Sequence, residues 1–177
     1  MNPKILTLVL VAVVSSAPAA EPTLGPVVDG YGPTYLVADR DVPLPEDFEY
    51  RVVLDAARAA AGPSDLDATF VSAARFLNMH ARNEVPVDRM ALAVVVHGAA
   101  LQSILSDEAY RDRHGVGNPN LELLNRLRQA GVRVFVCGQS MAFNDIDKAD
   151  LWPHAEVALS AMTMMAILQS RGYALIP

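Results

Sequence analysis

One cysteine in 177 residues is the most consequential shortage in this chain. A single thiol, Cys137, excludes an intrachain disulfide framework and any cysteine-rich zinc site. Positive charge is also short: 14 Lys and Arg against 20 Asp and Glu give a formal charge of −6. That balance argues against nucleic acid or an anionic membrane surface as the main partner. Glycine and proline stand at ordinary levels, which excludes collagen-like and linker-type chains. Catalogued signatures are missing: there is no Gly-x-Ser-x-Gly, no His-Glu-x-x-His and no dinucleotide fingerprint. Gly115-Val116-Gly117-Asn118 lacks the Lys and Ser/Thr of a phosphate loop. Met162 and Met165 lie three apart on a helical segment that needs a core face, so packing outweighs a soft-metal site with Met141, Met164 and His154. No cofactor and no metal centre is expected.

What is present suits one well-cored domain, with 52% hydrophobic and 19% charged residues. Ahead of it, Lys4, an apolar stretch at residues 5–14 and Ala17-Pro18-Ala19 have the layout of a cleaved secretory signal. The apolar stretch is about half the roughly 20 residues that span a bilayer. Residues 1–20 are therefore expected to direct export to the periplasm or medium, with no stable membrane insertion after cleavage. A lone thiol in such a compartment is either buried and inert or chemically employed.

Residues 21–47 carry five prolines and three glycines without an apolar period, which predicts an extended arm lying on the domain or on a neighbouring subunit. Residues 48–177 form the domain proper. Strands are predicted at residues 50–54, 91–96 and 132–136, with a shorter one near 156–158 and a terminal segment at 173–176. Between them, Ser64 is read as the N-cap of a helix carrying Phe70, Ala74 and Leu77, and a further helix as running through Leu101, Ile104 and Leu105. Asn118 and Pro119 are read as N-cap and first residue of a helix with Leu121, Leu124 and Leu127 on its buried stripe. A last helix occupies residues 160–170. Strands alternating with helices give an α/β fold with a mainly parallel sheet.

Open parallel sheets place ligands outside the carboxyl ends of their strands. Two segments fall there: His97-Gly98-Ala99 and Cys137-Gly138-Gln139-Ser140. The glycines let the backbone turn closely and leave N–H groups for an anion. A cysteine opening such a turn gains thiolate character from those groups and from a helix start. His97 is a candidate base or imidazolium partner. A cysteine ending an apolar strand is equally well explained as core.

These segments carry a family resemblance. Val94-Val95-Val96-His97-Gly98, then Asn118-Pro119-Asn120-Leu121-Glu122-Leu123-Leu124, then residues 130–140 are similar to the DsrE/DsrF-like family. The tail at residues 157–163 and 172–177 and the arm at 30–45 resemble its exported branch. The resemblance implies a Rossmann-like three-layer α/β/α fold with about five strands, and homo-oligomers, trimers or hexamers. Cytoplasmic relatives pass sulfur as a cysteine persulfide, in sulfur oxidation and tRNA thiolation, and the carrier cysteine corresponds to Cys137. An export signal departs from that setting, so the expected partner is a small sulfur donor or thiol and not a tRNA-modification relay. Catalytic candidates are then Cys137 and His97; Gly98, Gly138, Gln139, Ser140 and Asn120 are substrate-binding candidates. The alternative is a non-catalytic oligomeric binding or assembly module with Cys137 buried and unreactive.

Overall fold

Apolar residues on both faces of a strand demand cover on both sides, and the chain supplies it. The computed structural model describes residues 21–176, so the expected export signal lies outside the described residues. Five strands, β1 (Tyr50–Ala56), β2 (Met90–Val96), β3 (Arg133–Cys137), β4 (Glu156–Ala158) and β5 (Ala174–Ile176), form one parallel sheet in the order β4-β3-β2-β1-β5. Alternation splits its core in two. Val52, Leu54, Ala56, Val94, Val96, Val134 and Val136 face α1 (Ala68–Ala81) and α3 (Leu121–Gln129), while Val53, Ala93, Val95, Phe135 and Cys137 face α5 (Ala161–Ser170). The expected three-layer α/β fold is the one observed. The connection from β4 through α5 to β5 crosses the whole sheet, from one edge to the other.

Two helix starts differ from expectation, each for a capping reason, and two further segments differ in kind. The N-cap of α1 is Asp67, not Ser64: its carboxylate accepts the Thr69 N–H, and the residues before it form a turn. Helix α3 begins at Leu121, not Pro119. Asn118 Oδ1 accepts the Asn120 N–H and closes a turn ahead of the helix, leaving Asn120 at the cap position. Residues Gly98–Ile104 wind as a 3₁₀ helix, although Leu101, Ile104 and Leu105 are fully buried as expected. Helix α2 (Asp107–His114) had no place in the sequence reading. Its ends are conventional, with Ser106 capping the Ala109 N–H and Gly115 at φ 73°.

The arm lies on its own domain, against α1. Thr23 and Thr34 pair across a bridge, and Val28 is fully buried. Gly32 has φ 60°, and a Cβ there would stand 2.3 Å from the Arg75 nitrogen, so only glycine allows this approach.

Nearby, His80 is buried beneath the rings of Tyr50 and Phe76, its Nδ1 2.8 Å from the Phe76 carbonyl. Burial lowers its pKa below the ordinary value of 6.5, and the Phe76 carbonyl only partly opposes this. The folded state therefore disfavours the charged form of His80, while the unfolded chain takes up a proton near pH 6.5. Stability from this site is present above that value and is lost as pH falls through the folded pKa. Urea unfolding at about pH 7.5 and about pH 5 is expected to show the loss. In His80→Gln the dependence over that window should shrink; an unchanged dependence would assign it elsewhere.

Candidate thiol site

Cys137 ends β3 and serves as the N-cap of the short helix α4 (Gly138–Phe143). Its sulfur accepts the Ser140 N–H at 3.4 Å, and the Gln139 and Ala161 N–H groups also face it. Two helix starts, α4 and α5, thus converge on one sulfur. Burial pushes the thiol pKa up. The Ser140 hydroxyl and the amides of Ser140, Ala161 and Gln139 pull it down and prevail, leaving it below the ordinary thiol value of 9.0. Only 5% of Cys137 is exposed.

Gly138 makes the convergence possible. A Cβ there would lie 2.8 Å from the Ala158 carbonyl oxygen, so a side chain would push β4 away from β3. Because Cys137 pairs with Ala158, that shift would also withdraw the start of α5 from the sulfur. Ser140 ties the two strand-end segments together: its Oγ accepts the Gly98 N–H at 3.1 Å. Gly98 has φ 55°, which glycine adopts at little cost. Gln139, Ser140, Gly98 and Phe143 line an open depression of about 470 Å³ beside α4.

His97 directly follows β2, the strand beside β3, and the pairing of Val96 with Val136 brings the two strand ends level. Its imidazole, however, engages the other neighbour, with Nε2 2.7 Å from Asp55 Oδ1 on β1. The hydrogen bonds at the sulfur do not include His97. Asn120 is 1% exposed; its Oδ1 accepts the Asp67 N–H and its Nδ2 donates to Asn118 Oδ1. It joins the start of α3 to the start of α1, across the sheet from the thiol. Among the described residues, no group of three or more His, Cys, Asp or Glu is placed to hold a metal ion.

A model described as the DsrE/DsrF-like family matches residues 51–177. The chain belongs to the DsrE/DsrF-like family. No curated protein matches it. Two solved structures share the fold of this family member. A protein of unknown function, MTH1491 from Methanobacterium thermoautotrophicum, aligns with TM-score 0.54 and 20% identity, covering 72% of this chain and 97% of its own. The ychN protein from E. coli aligns with TM-score 0.51 and 17% identity, covering 71% and 96%.

Two residues that decide the geometry around the strand ends of this DsrE/DsrF-like protein were not read from the sequence. Ala161 acts through its backbone N–H, which no side-chain pattern reveals. Asp55, which holds the His97 imidazole away from the sulfur, did leave a signal: it is a carboxylate interrupting the apolar strand Val52-Val53-Leu54-Asp55-Ala56.

Proposed function

We propose that this DsrE/DsrF-like protein is an exported, homo-oligomeric sulfur carrier that holds sulfane sulfur as a persulfide on Cys137. The reading is carried by one observation: three backbone N–H groups from two helix starts face the sulfur and favour its anion. The Cys137 thiolate attacks the terminal sulfur of a small donor R–S–SH. The new S–S bond forms as the donor's S–S bond breaks, and R–S⁻ leaves with the electron pair. An incoming thiolate later takes the outer sulfur and restores the Cys137 thiolate. With no second cysteine in the chain, that acceptor is an external thiol, a partner protein or the Cys137 of another subunit.

The 5% exposure of Cys137 supports a second reading, an assembly or binding module whose thiol is only core. Alkylation separates the two. The carrier reading expects iodoacetamide to modify native Cys137, with a pH midpoint below that of an ordinary thiol. Modification that begins only once the chain is unfolded would reject the carrier.

A further inference from the structure

At the carboxyl end of β1 a second cleft opens beneath the first turns of α1, with a volume of about 380 Å³. That lies within the roughly 300–1,000 Å³ of small-molecule sites. The strand order turns at β1, which has β2 on one side and β5 on the other, and such a turning point is where open α/β sheets hold ligands. Three charged residues line the cleft: Asp55, Arg58 and Asp67. Ala57, Ala59 and Ala68 form much of the remaining wall, so the protein's own side chains leave the space unfilled.

Asp67 is the telling member. It is 1% exposed, its backbone N–H is fixed by Asn120, and its Oδ1 caps α1 through Thr69. Its Oδ2 has no hydrogen-bond partner among the described residues. A buried carboxylate oxygen without a donor is costly, and capping needs only the other oxygen. Asp55 adds a second carboxylate, with one oxygen on His97. Two acids lining one cleft, Asp55 from β1 and Asp67 from the cap of α1, select a cationic donor. Arg58 is exposed and takes part in no salt bridge among the described residues.

We propose that this cleft binds a small zwitterion of the amino-acid type, its ammonium group donating to Asp67 Oδ2 and Asp55 and its carboxylate meeting Arg58. The site is independent of the sulfur chemistry at Cys137. The common L-amino acids, added singly to the ¹⁵N-labelled protein, are the probes; glycine betaine, which keeps both charges but has no N–H, is the control. At least one amino acid is expected to move the Ala68 and Thr69 amide resonances and raise the melting temperature, and betaine to do neither. Asp67→Asn retains a capping oxygen, so it should fold normally and bind about tenfold more weakly. Arg58→Gln, at an exposed position, should also weaken binding and decides the matter if Asp67→Asn does not fold. Cys137→Ser should bind like the wild type. The proposal is overturned if no amino acid moves these resonances, if betaine binds equally well, or if Asp67→Asn and Arg58→Gln both bind unchanged.

Discussion

Incubated with polysulfide, the wild-type protein will gain the mass of one sulfur atom per chain, and Cys137→Ser will gain none. The difference is all or nothing because the chain has no other thiol to take the sulfur. A serine hydroxyl at this position meets the same amides but stays protonated at neutral pH, so it offers no nucleophile. The expected gain is one atom per chain, since the thiolate takes only the terminal sulfur of its donor. Dithiothreitol should reverse it by taking the outer sulfur. Thiosulfate as an alternative donor would show whether the site accepts an oxyanion as well as a polysulfide. Intact-mass measurement reads all of this directly. Equal gain in both proteins, or none in either, would leave the assembly module as the better account.

The second large effect concerns stability. Asn78→Ala should cost about 3 kcal/mol or more and release residues 27–32 from α1. Asn78 is fully buried within α1, and its side chain makes five hydrogen bonds to the backbone of residues 27–32 of the arm. Oδ1 accepts the N–H groups of Val27 and Val28 at 2.9 and 2.8 Å. Nδ2 donates to the carbonyls of Val28, Tyr31 and Gly32 at 3.1, 2.8 and 3.4 Å. Truncation leaves these groups facing a cavity, at about 1–3 kcal/mol for each one that water cannot reach, unless the arm lifts away. Lifting in turn exposes Val28. Urea denaturation should show the loss, and limited proteolysis should show new cleavage within residues 21–47. A variant within about 0.5 kcal/mol of wild type, with unchanged cleavage, would show that the arm is held by something else.

The three central strands were legible in the sequence because each holds an apolar run too short and too β-branched to be read otherwise, whereas the exposed three-residue edge strands β4 and β5 carry no such run. The buried residues Phe70, Leu77, Leu124 and Leu127 were legible because helical spacing reports a covered face. Helix starts were less so. Ser64 and Asp67 are both competent caps three residues apart, and local chemistry alone does not choose between them; the tie from Asn120 to the Asp67 N–H does. Helix α2 escaped because its sequence, Asp107-Glu108-Ala109-Tyr110-Arg111-Asp112-Arg113-His114, offers one buried side chain and therefore no apolar period. At the site, a parallel sheet's C-terminal edge pointed to Cys137, Gly138 and Ser140. It could not tell which neighbour His97 would choose, because both lie one strand away and only the carboxylate of Asp55 settles the competition.

Gly138 admits β4, and β4 carries the start of α5 to the sulfur, so the group that covers Cys137 is also one that favours its anion. Accessibility and acidity are thus locked in opposition. Any excursion of this three-residue edge strand that uncovers the sulfur also strips it of the Ala161 amide and makes it a more basic thiol. On the proposed carrier reading, the attacking sulfur of Cys137 is thus shielded at rest. It becomes reachable and less stabilised as an anion in the same movement, so uncovering the thiol costs it part of its acidity.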